Sequence, residues 1–189
     1  MKETIGFAVT GSFCTFDRII NEFERLVSKG YNVIPILSQT AANTDTRFTT
    51  AKDFKDKIQS ITNNKPLTTI EECEPIGPKG ILDLLLIAPA TGNTVAKIAN
   101  AITDTSVTMA AKAHLRNGKP LVIGVSTNDG LSGNAVNIAK LLTRKNIYFV
   151  PFGQDDCINK SYSLMADFTL IPDTVAGALK GEQIQPLLL

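Results

Sequence analysis

The stretch LLLIAPATGNTVAKIANAITDT, residues 84–105, decides the fold class of this chain. Its apolar start belongs to a predicted strand over 82–88, and small and polar residues then open a helical pattern. The strand is apolar on both faces, which is typical of a parallel strand that helices cover on each side. The stretch therefore predicts one strand-to-helix unit of an α/β sheet.

Similar apolar runs lie on both sides of this unit. They predict strands over 4–10, 32–38, 120–126 and 146–150, with a weaker candidate over 168–171. Apolar residues at helical spacing lie between them, over 16–27 and 136–142. The alternation predicts a Rossmann-like, doubly wound parallel sheet with helices on both faces, as a single domain over 1–189.

Two segments interrupt the alternation. Residues 39–80 are polar, with one predicted helix over 50–61 and then an irregular excursion over one edge of the sheet. The tail over 182–189, EQIQPLLL, is too short to form a folded unit. It could dock on the domain itself or on a partner.

Composition and charge argue against several classes of protein. The net charge is +1 and the lysines are scattered, so no nucleic-acid partner is expected. No run reaches the roughly 18 consecutive apolar residues that a membrane span requires, and no signal peptide is recognisable, so we expect a cytoplasmic protein. The three cysteines form no CxxC pattern, so neither a disulfide framework nor a metal site is predicted.

The loops that follow the strands are the candidate sites, because open parallel sheets bind ligands outside the carboxyl ends of their strands. In the first loop Gly11 permits a close approach of the backbone, and Ser12 and Phe13 precede a helix whose first N–H groups attract an anion. In the second loop Ser38 and Thr40 offer hydroxyls at the same edge. Both loops suit a phosphate group, although both patterns are also typical of an ordinary turn with a helix cap.

The third loop, after the strand over 82–88, combines small residues with hydrogen-bonding ones. Pro89 and Ala90 stand where a planar ring could lie, and Thr91, Asn93 and Thr94 bring two hydroxyls and an amide to a helix start. Capping by Thr91 or Asn93 and close packing by the small residues remain the alternative interpretation.

Residues 88–105 resemble the signature of the flavin-dependent cysteine decarboxylase family, and Gly11-Ser12-Phe13-Cys14 resembles that family's first loop. In that family the signature cradles FMN. The resemblance implies a flavoprotein fold with FMN as the cofactor, or a phosphate or sulfate ion in its place. The candidate cofactor contacts are then Gly11, Ser12, Phe13, Ser38, Thr40, Pro89, Ala90, Thr91, Asn93 and Thr94.

The chain departs from the decarboxylase pattern at two places. Residues 74–80 contain no histidine, although the decarboxylases carry one just before their third strand. The family's Pro-Ala-Met-Asn is replaced by Val125 followed by Ser126, Thr127 and Asn128, which are candidate substrate contacts. Several hydrogen-bond donors suit a carboxylate-rich substrate, and capping of the next helix is the alternative.

No catalytic residue is assigned from the sequence. The single histidine, His114, lies in a helical pattern and is expected at the surface or in packing. Asp155, Asp156 and Cys157 follow a strand end and could enter the crevice, but an exposed acidic turn is the favoured interpretation. Lys97 has the spacing of a solvated helix face.

Five segments carry a second resemblance: GFAVTGSFCTF (6–16), LLLIAPATGNTVAKIANAITDT (84–105), VSTNDGLSGNAVNIAKLL (125–142), VPFGQDD (150–156) and ALKGEQIQPLLL (178–189). Together they span essentially the whole chain and resemble the B subunits of the dipicolinate synthases of spore-forming bacteria. This resemblance implies a role in oxidising a dihydrodipicolinate-type dicarboxylate to pyridine-2,6-dicarboxylate, in the mother cell of a sporulating bacterium. It also implies a partner, the A subunit, which brings NAD(P) and without which the chain is not expected to be active.

Three further expectations accompany this resemblance. An FMN-dependent decarboxylase or prenyl-flavin-type transferase is one alternative function, and a non-catalytic assembly partner is another. A homo-oligomer, such as a trimer or a multiple of one, is expected because related flavoproteins place FMN at the boundaries between their subunits. The small and apolar segment VAKIANAI, residues 95–102, fits such a boundary.

Overall fold

The computed structural model describes residues 2–189, and parallel strands form the centre of its sheet. The parallel strands pair in the order β2, β1, β3, β4, β5. Their bounds are Thr4–Val9 for β1, Asn32–Leu37 for β2, Leu84–Ala90 for β3, Leu121–Thr127 for β4 and Ile147–Phe149 for β5. This order confirms the predicted doubly wound sheet, and every residue of β3 is buried, as a central parallel strand requires.

Helices cover both faces of this sheet. Their bounds are Phe16–Ser28 (α1), Gln39–Asn43 (α2), Ala51–Thr62 (α3), Ile70–Cys73 (α4), Ile76–Lys79 (α5), Gly92–Ala99 (α6), Ser106–Leu115 (α7), Ala135–Leu142 (α8) and Ile171–Leu179 (α9). Helices α1, α3 and α9 pack side by side in one layer, and α6, α7 and α8 pack in the other. The helix predicted over 16–27 packs on the sheet through a stripe of buried residues. In this stripe the ring of Phe23 stacks on that of Phe7 from β1, with 4.0 Å between the ring centroids.

The strand predicted over 168–171 is wrong. Phe168–Leu170 is a short 3-10 helix that leads into α9, in which Pro172 stands in the first turn. Ile171, Val175 and Ala178 are spaced for one helix face and are buried against the sheet. Proline is favoured in the first helical turn, so both features favour a helix over a strand.

Two short strands that the sequence did not predict extend the sheet. They are β6 (Phe152–Gly153) and β7 (Leu164–Ala166), an antiparallel pair joined by the loop 154–163. β7 pairs with the last residues of β4, so that Ser126 lies opposite Met165. The hairpin therefore stands at the carboxyl end of β4, where ligands bind in this fold class.

The two segments that interrupted the sequence pattern both pack against the rest of the chain. Within 63–80 the chain forms α4 and α5, and Thr69 begins α4 with a capping box. The tail over 182–189 docks on the domain itself, because the Phe152 N–H donates to the Leu187 carbonyl at 3.0 Å and the Leu189 N–H donates to the Phe152 carbonyl at 3.1 Å. In residues 2–189, no helix combines the length and apolar character that crossing a membrane requires.

Candidate functional site

The loops after β1, β3 and β4 and the hairpin loop meet in a cleft of about 270 Å³ at the carboxyl edge of the sheet. Six of the candidate cofactor and substrate residues line this cleft: Gly11, Ser12, Thr91, Ser126, Thr127 and Asn128. The remaining wall is formed by Cys14, Gly92, Asp155, Lys160, Ser163 and Met165. The cofactor and substrate candidates from separate loops thus share one space.

Ser12 and Ser126 join the first loop to the end of β4, which is distant from it in sequence. Their hydroxyl oxygens lie 2.9 Å apart, and either hydroxyl can donate to the other. Because β3 lies between β1 and β4 in the sheet, this hydrogen bond spans the third loop, which follows β3 and belongs to the decarboxylase-like signature over 88–105. Two hydroxyl groups bring two hydrogens and this bond uses one of them, so the pair keeps a hydrogen for a ligand.

Thr10 fixes the start of the third loop. Its hydroxyl donates to the Pro89 carbonyl at 2.6 Å and accepts the Thr91 N–H at 3.0 Å. The Thr91 and Thr94 hydroxyl oxygens lie 3.1 Å apart, and Thr94 is buried. Sequence reasoning missed Thr10, because only the pairing of β1 with β3 brings it to this loop.

Asp129 is the acidic group of the loop after β4. Its carboxylate accepts hydrogen bonds from the Thr127 hydroxyl and, at 2.8 Å, from the Asn134 side-chain amide. The three side chains rest on Gly92, where an added Cβ would lie 2.5 Å from the nitrogen of Asn134 and 2.7 Å from an oxygen of Asp129. The glycine in the signature is thus required by a close approach.

The hairpin loop supplies a cation and an acid to the cleft. The Ser163 hydroxyl donates to Asp155 at 2.6 Å, and the Lys160 ammonium lies 3.3 Å from the other carboxylate oxygen. The hydrogen bond from Ser163 and then the one from Lys160 hold the pKa of Asp155 below its ordinary value, although burial opposes them. Sequence reasoning missed Lys160, which lies in a loop without a recognisable pattern.

The interpretation of residues 155–157 as an exposed acidic turn is confirmed for Asp155 and Cys157, which are both exposed, and Asp156 is half-buried and accepts the Asn159 N–H at 2.9 Å within the turn. Asp155 also borders the cleft, as the alternative interpretation expected. It does so because the pairing of β6 with β7 brings Ser163 back to Asp155.

Several candidate cofactor residues lie beside the cleft without lining it. Ser38 caps α2 by accepting the Ala41 N–H at 3.2 Å, and Thr40 adjoins Gly11, whose added Cβ would lie 3.0 Å from the Thr40 methyl group. Phe13 packs its ring edge against Phe16, with 5.4 Å between centroids. The others are Pro89 and Ala90, which are buried in β3, and two residues of α6, the exposed Asn93 and the buried Thr94.

His114 and Lys97 lie outside the cleft. His114 is buried, its Nε2 lies 2.9 Å from the Pro120 carbonyl oxygen, and burial lowers its pKa. This confirms its packing role. The Lys97 ammonium pairs with Asp104 at 2.8 Å and is only partly solvated. Across residues 2–189, His, Cys, Asp and Glu side chains form no group of three or more that could hold a metal ion.

Comparison with known proteins relates this chain to a family. The family model described as Flavoprotein matches residues 1–179. The B subunit of dipicolinate synthase from Bacillus subtilis is 44% identical over 185 residues, which are 98% of this chain and 92% of that protein.

Solved structures agree with these sequence matches. The crystal structure of the dipicolinate synthase B subunit from Bacillus halodurans superposes with a TM-score of 0.91 at 46% identity, covering 100% of this chain and 98% of that chain. DmrB of Burkholderia xenovorans, solved in complex with FMN and described as a cubic protein cage for redox transfer, has a TM-score of 0.69 at 18% identity, with coverages of 95% and 96%. The second likeness concerns the fold alone.

Proposed function

Because this chain belongs to the Flavoprotein family and is a homologue of the dipicolinate synthase B subunit, we propose that it is a flavin-binding subunit of an oxidoreductase. The substrate would be a dihydrodipicolinate-type dicarboxylate, and the product pyridine-2,6-dicarboxylate. We further propose that the chain acts in the cytoplasm of the mother cell during sporulation, in complex with an A subunit that carries NAD(P).

The observation that carries this proposal is the meeting of hydroxyl donors and a cation in one cleft. Ser12 and Ser126 bring a hydroxyl pair, and Lys160 faces them from the hairpin loop. Among the lining residues in the described part of the chain, Lys160 alone is cationic. The cleft thus offers donors for two anionic ligands, the phosphate of a cofactor beside Ser12 and a substrate carboxylate beside Lys160.

The first and third loops fit a flavin phosphate and ring. Gly11 and Gly92 let neighbouring side chains pack directly against the backbone of these loops, and Ser12 and Thr91 bring hydroxyls to the same wall. The first loop leads directly into the helices that begin at Phe13 and Phe16, whose first N–H groups favour an anion. We therefore assign the cofactor to this side of the cleft.

The opposite side suits the substrate. Asn128 is exposed at the end of β4 and can donate from its amide, and Lys160 attracts a carboxylate. Asp155 and Ser163 hold Lys160 in place through the hydrogen bonds and ion pair of the hairpin loop. These groups bind and orient the two carboxylates.

The oxidation removes one hydride and one proton as the ring becomes aromatic. FMN, or the nicotinamide of the A subunit, supplies the hydride acceptor when bound. Neither Asp155 of the cleft wall nor Asp129 behind it suits the proton. Asp129 already accepts two hydrogen bonds, and the lowered pKa of Asp155 makes it a weak base. We therefore expect the A subunit or solvent to take the proton.

The decarboxylase and transferase alternatives are less well supported, since residues 74–80 hold no histidine and His114 is buried away from the cleft. A non-catalytic assembly role makes a different prediction. In that case substitutions in the cleft would leave the activity of the complex unchanged.

The test combines visible absorbance with an assay of dipicolinate formation by ultraviolet detection. We expect the purified chain to retain FMN after gel filtration, and the complex with the A subunit, but not this chain alone, to form dipicolinate. Lys160→Gln should lower kcat/KM of the complex about ten-fold by removing the charge, at about 1.4 kcal/mol per decade. Lys145→Gln, at an exposed lysine outside the cleft, is the matched control.

Each result addresses one part of the proposal. Absence of flavin absorbance after incubation with FMN would contradict the cofactor assignment. Full activity of the chain alone would remove the need for the A subunit. Normal kinetics of Lys160→Gln would favour the assembly role.

A further inference from the structure

A cavity of about 340 Å³ lies between the end of α6, α7 and the segment that follows α8. Its floor is apolar, since Ile98 and Ala111 line it and are buried. Its rim is cationic, since Lys112 and Arg144 line it and are exposed. None of the described residues that line the cavity is acidic. A partner that fits this cavity therefore combines an apolar group with a negative charge.

The two cations of the cavity have no acidic partner within the described chain. Across residues 2–189, neither Lys112 nor Arg144 forms an ion pair. The Arg144 guanidinium donates to the Ala99 carbonyl at the end of α6, at 3.0 Å, and a guanidinium has further N–H groups to donate. Both charges can thus attract an anion from outside the chain.

The hairpin loop 154–163 presents an apolar group and a negative charge side by side. Ile158 is 87% exposed, more than any other large apolar side chain in the described part of the chain. Two residues before it, Asp156 accepts the Asn159 N–H at 2.9 Å and the Asn159 side-chain amide at 3.0 Å. These hydrogen bonds hold the pKa of Asp156 below its ordinary value, so this carboxylate is ionised near neutral pH.

The other exposed apolar side chains lack this combination. Leu131 follows Asp129, whose carboxylate already accepts two hydrogen bonds within the chain. Phe48 lies under the Arg47 guanidinium, 4.8 Å from its ring centroid, and the cations of the cavity would repel that charge. The rest have no acidic residue within two positions, or have one that is already in an ion pair: Ile81, Ile102, Val136, Leu142, Tyr162, Leu188 and Leu189.

We propose that the cavity at the end of α6 binds the hairpin loop of a second copy of this chain, with Ile158 on the apolar floor and Asp156 beside Lys112 and Arg144. The contact joins two different surfaces, because the hairpin loop and the cavity share no residue. Such a contact is heterologous, and it closes a ring when the same rotation is repeated from copy to copy. A ring of three copies is consistent with the expected trimer.

The contact also affects the cleft. The hairpin loop carries Asp155 and Lys160 to the cleft wall. A neighbouring copy that holds this loop therefore fixes both side chains, and the cleft of each copy is complete only in the assembly. This consequence does not depend on which ligand the cleft binds.

Two variants of the full chain remove opposite halves of the contact. Asp156→Asn combined with Ile158→Ser removes the charge and the apolar group of the loop, and Ile102→Glu places in the cavity a carboxylate that repels Asp156. Light scattering over a dilution series should show each variant dissociating at about 100-fold higher concentration than the wild type. Val136→Glu, at an exposed residue of α8 outside both surfaces, is the control and should assemble like the wild type.

Mixing the two variants tests the direction of the contact. The loop variant keeps an intact cavity, and Ile102→Glu keeps an intact loop, so one contact can form between them but no ring can close. At a concentration where each variant alone is monomeric, the mixture should give about twice the 20.3 kDa mass of one chain.

Trypsin cleavage after Lys160 reports on the loop itself. The loop sequence is unchanged in Ile102→Glu, but no neighbour covers the loop, so we expect cleavage about ten-fold faster than in the wild type. Adding the loop variant, whose cavity is intact, should restore the protection.

Several results would overturn the inference. They are a wild type that is monomeric at micromolar concentration, variants that assemble like the wild type, a mixture that stays monomeric, or equal cleavage of the wild type and Ile102→Glu. Circular dichroism checks that the variants fold. If the loop variant does not fold, the mass and the cleavage rate of Ile102→Glu still decide.

Discussion

At the scale of single residues, the cleft is defined by where each hydroxyl hydrogen points. Thr10 donates to a backbone carbonyl and Thr127 donates to Asp129, so both hydrogens are used within the protein. The Ser12 and Ser126 pair shares one bond and keeps one hydrogen. The wall near the first loop is therefore a donor toward an anionic ligand.

Ser12→Ala tests the donor side of the cleft. We expect the affinity for FMN to fall by about 1–2 kcal/mol, because a charge-assisted hydrogen bond to the phosphate is lost. Flavin fluorescence titration measures the change, and Ser60→Ala, at an exposed serine on α3, is the control. An affinity equal to that of the wild type would remove Ser12 from the cofactor site.

At the scale of elements, the beginning of α6 depends on a glycine. An added Cβ at Gly92 would lie 2.5 Å from the Thr127 hydroxyl oxygen and 2.5 Å from the Asn134 nitrogen. Neither neighbour can retreat without breaking its bond to Asp129. The helix and the loop after β4 are therefore locked together at this contact.

Gly92→Ala is expected to destabilise the fold by about 1–3 kcal/mol, the usual cost of forcing an extra methyl group into a packed site. Gly133→Ala in the neighbouring loop is the matched control, since its Cβ would meet nothing closer than an Asp129 oxygen at 3.8 Å. Denaturant unfolding of both variants measures the difference. Equal stability of the two would contradict the locked contact.

Helix α7 contributes a pH-sensitive element through His114. Burial lowers the pKa of His114 in the folded chain from its ordinary value of 6.5. Below about pH 6.5 the unfolded chain therefore binds a proton that the folded chain resists, so folding stability falls as the pH falls. Above that pH the histidine is neutral in both states and this dependence disappears.

We expect the wild type to lose more stability than His114→Gln between about pH 7.5 and about pH 5. Glutamine can still donate to the Pro120 carbonyl but does not titrate. The carboxylates with lowered pKa, such as Glu72 and Asp155, titrate at lower pH and are common to both proteins. Parallel denaturation curves over this range would contradict the assignment.

At the scale of the whole molecule, the surface around α6 is the candidate interface between copies of this chain. Val95, Ile98 and Ala99, on which the expectation of an oligomer partly rested, are buried in the chain's own core. Ile102 is 47% exposed and borders a cavity of about 340 Å³ that Ile98 and Leu115 also line. Oligomerisation would cover this apolar surface.

We expect light scattering of the full chain to give a multiple of its 20.3 kDa mass, with a trimer or a multiple of a trimer as the expected state. Ile102→Glu should lower that mass, because a buried carboxylate at an interface is costly. Leu142→Glu, at another exposed apolar residue, is the control. A monomeric wild type at micromolar concentration would contradict the prediction.

The sequence by itself determined the alternation of strands and helices, the order of the loops and the family. Apolar runs such as 4–10 and 32–38 and helical spacing such as 16–27 are local patterns, so they can be recognised without tertiary contacts. The rule that ligands meet the carboxyl ends of parallel strands then pointed to Gly11, Ser12, Thr91 and Ser126–Asn128, which do line one cleft.

Only the tertiary structure decided which groups meet across the cleft. Ser12 and Ser126 are 114 residues apart, and sheet pairing alone brings their hydroxyls together. The strands of the hairpin are too short to carry a periodic pattern, and they form because β4 offers its edge, which is what brings Asp155 and Lys160 to the site. The direction of the hydrogen bonds around Asp129 likewise follows from contacts between α6, α8 and the loop after β4, and a local sequence pattern cannot specify such contacts.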